Sequence, residues 1–265
     1  MRTRCKLGRG AAAALACALA LTFAAPASAQ RKEAVDLALI LAVDVSSSMD
    51  EEEQAIQRQG YADAFRHGAV QSAVRNAGAH GRIAVAFMEW AEETYTVVDW
   101  TIVSTQAQAR AFADRLSAEP ISRGRRTSIS AGIQASMDLF DASPYVATRK
   151  VIDISGDGAN NSGLTVVEAR EAAHAKNIII NGLPIMLRPP RPNDAQDLEA
   201  YYRDCVKTGR GSFVIGVRSM QEMAATIRNK LVTEISDLGP RESGFIPAQA
   251  VLPLPAEGKA DCLIG

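Results

Sequence analysis

The chain has 265 residues, with 29 Lys and Arg against 30 Asp and Glu, a formal net charge of −1 and 47% hydrophobic residues. This composition suits one globular domain with a substantial core, and it lacks the basic footprint that nucleic-acid binding requires.

The first 29 residues read as a secretory signal. Arg2, Arg4, Lys6 and Arg9 form a basic start, Ala11–Ala25 is apolar but short for a bilayer span, and Ala27-Ser28-Ala29 is a small-residue cleavage site. Cleavage after Ala29 leaves 25 basic against 30 acidic residues, a net charge near −5. The expected location is the periplasm or the exterior. Cys5 and Cys17 leave with the signal, and Cys205 and Cys262 remain where a disulfide persists. Paired, they would tether the C-terminal tail; unpaired, they are two thiols.

Leu37–Val43 is a continuous apolar run, which reads as a strand buried on both faces at the centre of a parallel sheet. It ends in Asp44, Ser46 and Ser48, followed by a capping-box pattern at Asp50 and Glu53. The helix that follows carries Ala55, Ala62, Phe65, Ala69 and Ala73 at helical spacing and is expected to run to a break at Asn76–Gly81. Arg82–Glu89 and Thr94–Asp99 read as an edge hairpin, closed by Trp90 and Trp100. Thr105–Ala118 is a helix, and Glu119–Thr127 a basic loop holding Arg123, Arg125 and Arg126. Ser128–Phe140 is a helix with Ile129, Ile133, Met137 and Phe140 inward. Lys150–Ser155 is a strand running into Gly156-Asp157-Gly158-Ala159-Asn160-Asn161. Further elements are a helix at Val166–Lys176, a strand at Asn177–Pro184, a Pro-rich turn at Arg188–Asn193 and a helix at Leu198–Val206. A short strand at Gly211–Ile215 and a helix at Met220–Ile235, with Met220, Met223, Ile227, Leu231 and Ile235 inward, complete them. The alternation predicts an α/β fold with a doubly wound, mostly parallel central sheet and one antiparallel edge strand. The domain spans 30–236, between the signal and a Pro-rich tail at 237–265.

Ligands of such sheets collect at the carboxyl ends of the central strands. There the chain places hard oxygen donors: Asp44, Ser46 and Ser48 after the first strand, Thr127 in the basic loop, and Asp157 after a later core strand. Ser46 and Ser48 equally suit a loop and a helix cap.

This set, in this order, resembles the von Willebrand factor type A (VWA) domain, whose metal-ion-dependent adhesion site combines D-x-S-x-S, a later Thr and an Asp after the next core strand. The stretches VDLALILAVDVSSSMDEEE, GRIAVAFMEWA, VIDISGDGANNSG, INGLPI and LEAYYRDCV are similar to a secreted bacterial branch of that family without an assigned activity. The resemblance implies a Rossmann-like VWA fold over roughly Val35 to Ile235. It also implies one divalent cation, Mg²⁺ before Mn²⁺ or Ca²⁺. Asp44, Ser46, Ser48, Thr127 and Asp157 would be its ligands, directly or through water. One coordination position would be left for an acidic side chain of a protein or peptide partner. Where the family usually has small residues before the Thr, this chain has Arg125 and Arg126. They would repel the ion or, with Arg123, steer an acidic partner, and the second reading is preferred.

The sharpest enzyme rival is a haloacid-dehalogenase-type phosphatase. Its second acid is replaced here by Ser46 and the last acid of its late motif by Asn161, which removes the general acid that the leaving group needs. A serine hydrolase lacks its G-x-S-x-G, since Asp153 stands two positions before Ser155. His67, His80 and His174 share no metal-type spacing. A structural domain with a vestigial metal site is the remaining alternative.

Overall fold

A computed structural model describes residues 32–192, 194–237 and 259–264. The signal segment and most of the Pro-rich tail lie outside the described residues. In chain order the elements are β1 (Glu33–Asp44), α1 (Glu51–Arg66), α2 (Gly68–Arg75), β2 (Ile83–Trp90), β3 (Thr94–Val103), α3 (Gln106–Ala118) and α4 (Ile129–Asp141). They continue with β4 (Tyr145–Gly156), α5 (Val166–Ala175), β5 (Ile178–Pro184), α6 (Leu198–Tyr201), a π-helical turn at Tyr202–Val206, and α7 (Met220–Ile235). The five strands lie in the order β3-β2-β1-β4-β5. β1 pairs in parallel with both β2 and β4, β4 with β5, and only β2–β3 is antiparallel. This is the expected sheet.

The apolar run of β1 explains its central place. Leu37, Leu39, Leu41 and Val43 pack on one face with Tyr61 and Phe65 of α1, Phe112 of α3 and Ile227 of α7. Ala38, Ile40 and Ala42 pack on the other face with Ile129 and Ile133 of α4, Val166 of α5 and Tyr202. A strand apolar on both sides is stable only between two helical layers. Because β2 and β4 flank β1 on opposite sides, the chain switches direction there, and Asp44 stands at the mouth of that crevice.

Several elements differ from expectation. The first helix breaks at His67, whose backbone is extended and whose Nδ1 accepts from Ala69 N–H at 3.1 Å, so that one residue ends α1 and caps α2. Its inward face keeps Ala62, Phe65 and, in α2, Ala73 of the expected stripe but also takes in polar residues. Ala55 and Ala69 are exposed, whereas Gln54, Gln57 and Arg58 are buried, because these polar groups find partners beneath the helix. β3 runs past Asp99 to Val103, so Trp100 lies within it. β4 starts at Tyr145, before Lys150. Gly211–Ile215 makes only an isolated bridge, Gly182 to Val214; Gly209 and Gly211, with φ of 92° and 76°, turn the chain into this segment, which runs on beside β5 to a second bridge, Ile185 to Val217.

Cys205 and Cys262 are joined, with Cα atoms 5.4 Å apart, which fixes 259–264 beside the π-helical turn. In the chain-entropy account a loop of this size contributes about 4 kcal/mol.

A cluster of charge is sealed between β4 and α7. Lys230 Nζ lies 2.6 Å from Asp153 Oδ1 and also bonds Glu234, and all three side chains are buried. Asn181 Nδ2 donates to Glu234 Oε1 at 2.9 Å, and Tyr61 OH to Asp153 at 3.4 Å. Two acids share one ammonium, so burial and the Asp153 charge push Glu234 up to about 8 from its ordinary 4.5. Two outcomes are expected. Lys230→Met, which strands Asp153, should cost about 3–5 kcal/mol in denaturant unfolding. The folded state also holds a proton on Glu234 that the unfolded chain releases, so this contribution is complete below about pH 4.5 and declines as pH rises through about 8. Glu234→Gln should flatten that decline in a series of melts across pH.

Candidate metal centre

Asp44 is the last residue of β1 and is fully buried. Its Oδ1 accepts from Ser46 N–H at 2.7 Å, a local turn that directs the Ser46 and Ser48 hydroxyls to one point. Those hydroxyls are 2.9 Å apart. Thr127 Oγ1 lies 3.3 Å from Ser46 Oγ, and Ser48 Oγ donates to Asp157 Oδ1. The five expected donors are therefore brought together from three segments at the carboxyl edge of the sheet.

The loop carrying Thr127 is held from below. The buried Arg58 guanidinium pairs with Glu89 of β2 and donates to Leu116 O and Glu119 O at 3.0 and 3.1 Å. Glu89 Oε2 accepts from Ser122 N–H at 2.8 Å, and Gly124 N–H donates to Val45 O at 2.9 Å. Any Cβ on Gly124 would stand 2.0 Å from Ala91 Cβ, so only glycine fits. Thr127 itself is clamped to the loop after β4, its N–H donating to Asn161 Oδ1 at 3.0 Å and its carbonyl accepting from Asn161 N–H at 2.8 Å. Asn160 Oδ1 likewise accepts from Ser130 N–H at 2.9 Å. Asn160 and Asn161 thus tie the loop after β4 to Thr127 and to the start of α4, a role that sequence reading did not assign.

The electrostatics fit a cation. Burial, and then the charge of Asp157, raise Asp44 to about 8. Burial likewise raises Asp157, against the opposing Ser48 bond and Arg188 charge. Asp44 Oδ2 is buried and, among the described residues, has no hydrogen-bond partner, nor has Tyr202 OH. Two carboxylates and three hydroxyls, with one carboxylate oxygen unsatisfied, match a hard divalent ion. Among the described residues no three His, Cys, Asp or Glu side chains cluster to offer another metal site.

The basic loop divides. Arg125 lines the cleft of about 1140 Å³ that opens from Ser48, Thr127 and Asp157. Arg123 instead pairs with Glu51 at 2.9 Å, and Arg126 is exposed outside that lining. The N–H groups of Arg125 and Arg126 both donate to Glu92 Oε2 at 2.7 Å, which fixes the backbone and leaves the side chains outward. The far wall supplies Arg188, Arg191 and Arg218, which the sequence shows only as a Pro-rich turn and its surroundings. Strand order explains the place of Arg188: β5 lies beside β4, so the loop after β5 borders Asp157. Arg188 Nη2 donates to Ser48 O at 2.6 Å and Glu53 Oε2 at 2.7 Å, and reaches Asp157 Oδ2 at 3.4 Å.

The doubly wound sheet with one antiparallel edge strand is the fold of a von Willebrand factor type A domain. It is similar to proximal thread matrix protein 1 from the mussel byssus, with a TM-score of 0.56 and 12% identity over 76% of this chain and 47% of that one. It is also similar to the pilus adhesin SpaC from Lactobacillus rhamnosus GG in its open conformation, with a TM-score of 0.57 and 13% identity over 77% and 30% of the two chains. A von Willebrand factor type A protein from Catenulispora acidiphila gives 0.54 and 14% over 76% and 43%. This chain therefore spans less than half the length of each of these proteins. No curated protein matches the chain. The chain belongs to the family described as "protein of unknown function (DUF1194)", which it matches over residues 34–239.

Gly156 packs directly against the buried Asp44 carboxylate. A Cβ there would lie 2.7 Å from Asp44 Oδ2 and 3.0 Å from Tyr202 OH. Gly156→Ala should therefore displace Asp44 or the π-helical turn and destabilise by about 1–3 kcal/mol in thermal or denaturant unfolding. An unchanged midpoint would show that this contact is looser than described.

Proposed function

We propose that this domain is a secreted or periplasmic adhesion-type module, not an enzyme. It binds one divalent cation through Asp44, Ser46, Ser48, Thr127 and Asp157 and captures a protein or peptide by an acidic side chain that completes the ion's coordination. The observation that carries this reading is the juxtaposition of those five oxygen-bearing side chains, around an unsatisfied oxygen of Asp44, at the mouth of an arginine-lined cleft. The mussel byssal protein is known with a zinc-occupied metal-ion-dependent adhesion site, which supports a divalent ion here. The all-oxygen donor set with only two carboxylates favours Mg²⁺ over zinc for this chain, with Mn²⁺ and Ca²⁺ as alternatives.

When bound, the ion supplies an exchangeable coordination position. The chain's own residues do the rest. Asp44 neutralises charge from beneath, the three hydroxyls orient their lone pairs, and Asn161 keeps Thr127 in register with Asp157. Arg125 on one wall and Arg188 and Arg191 on the other attract an anionic group into the cleft. The partner-facing set is thus Arg125 with Arg188 and Arg191 in place of Arg123 and Arg126. The phosphatase reading loses ground because Asn161, where an acid would be needed, is committed to Thr127.

Calorimetric titration of the mature protein with Mg²⁺, Mn²⁺ and Ca²⁺ checks the reading. One ion should bind, and Asp44→Ala should weaken binding by at least about tenfold, the scale of losing even an outer partner of a metal site. Binding that is absent in the wild type, or unaltered in the variant, contradicts it. Metal-dependent turnover of a phosphate ester, abolished by Asp44→Asn, would favour the phosphatase instead.

A further inference from the structure

We infer that Arg188 is a tethered cation that competes with the metal for Asp157 and passes to the incoming acidic ligand, so that metal and ligand bind cooperatively. The inference rests on the ion site proposed above and specifies how that site is regulated.

Three features carry it. The first is placement. A single nitrogen, Nη2, serves Ser48 O, Glu53 Oε2 and Asp157 Oδ2, and two of these acceptors belong to residues of the ion site. A guanidinium there already supplies part of the positive charge that two carboxylates in a buried corner demand. An added dication meets repulsion from it across a few ångströms, and the repulsion is weakly screened where Asp157 is mostly buried.

The second is freedom to leave. The backbone is fixed, since Ile185 N–H donates to Gly156 O at 2.9 Å, Met186 N–H to Val217 O at 2.7 Å, and Pro189 and Pro190 follow. The side chain is 49% exposed, so its swing carries little desolvation. Glu53 stays satisfied without it, because its Oε2 also accepts from Asp50 N–H at 2.9 Å in the capping box. The pair is therefore a weak latch and not a structural bridge.

The third is unused donor capacity. Among the described residues Nε and Nη1 of Arg188 make no hydrogen bond, and the residue lines the cleft. A guanidinium fork presents paired N–H groups suited to a carboxylate. An acidic side chain entering beside the ion gives Arg188 a better partner than Asp157 at 3.4 Å. Drawing it away removes the repulsion and tightens metal binding, and by linkage the metal tightens ligand binding by the same factor.

The test is a set of Mg²⁺ titrations of wild type, Arg188→Ala and Arg188→Gln, each with and without a saturating end-blocked Glu-Glu dipeptide as probe, corrected for metal held by the probe. Wild type should bind Mg²⁺ more tightly when the dipeptide is present. Both variants should bind Mg²⁺ alone more tightly than wild type, by about three- to tenfold, and should gain little from the dipeptide. Arg188→Gln keeps a hydrogen-bonding group without charge, so agreement between the variants assigns the effect to charge. Variants that bind Mg²⁺ equally or more weakly, or that keep the full dipeptide effect, overturn the inference while leaving the ion site standing. A wild type that binds no Mg²⁺, Mn²⁺ or Ca²⁺ overturns both.

Discussion

Asp44 and Asp157 are two carboxylates held near one another at the carboxyl edge of the sheet, one of them wholly buried, and each is pushed toward its protonated form by loss of water. Nothing in the apolar packing requires this pair. A strand end with an uncharged side chain in place of Asp44 would avoid the desolvation altogether. The arrangement makes physical sense when a cation belongs there, and the surroundings are built to keep it ready. Asp44 sits at the switch point of β1, the Ser46 and Ser48 hydroxyls are aimed by its Oδ1, and Gly156 lets the loop after β4 come within contact of it.

The rest of the polar interior serves that edge. α1 turns its polar stripe inward because Arg58 secures the loop of Thr127 through Glu89, Leu116 and Glu119. Gln57 secures Ser155, one residue before Gly156, through a 2.8 Å bond. The Lys230 cluster closes the same helical layer against β4 two residues further down the strand, at Asp153. Buried ionic groups of this kind add little net stability over an apolar replacement, but breaking one is costly, so the partners hold one another in place. Here the geometry fixed is the relative position of the loops after β1, β2 and β4.

The fold and the gathering of Asp44, Ser46, Ser48, Thr127 and Asp157 at one edge were legible because each has a local signal. An apolar run without alternation marks a central strand, and hydroxyls and carboxylates at strand ends mark the face where ligands gather. The inward face of the first helix was legible in part: Ala62, Phe65 and Ala73 are buried as their spacing predicts, Ala55 and Ala69 are exposed, and the burial of Gln57 and Arg58 depends on Ser155 and Glu89, distant in sequence. The basic loop was half legible. Arg123, Arg125 and Arg126 look equivalent in sequence, and the loop's backbone bonds to Glu92 and the Glu51 pairing of Arg123 decide which one faces the cleft. Arg188 and Asn161 were hidden because their roles arise only when β4 and β5 lie side by side and the loops above them meet.

The most direct test of this account is diffraction from crystals of the mature protein grown with Mn²⁺, using the anomalous signal of the ion. The account predicts one strong peak within coordinating distance of the Ser46 and Ser48 hydroxyls, bordered by Thr127 and Asp157 and backed by Asp44. The Arg188 guanidinium should be turned from Asp157 toward the cleft. No peak at that point, with Ser48 still bonded to Asp157 and Arg188 in place, would contradict it.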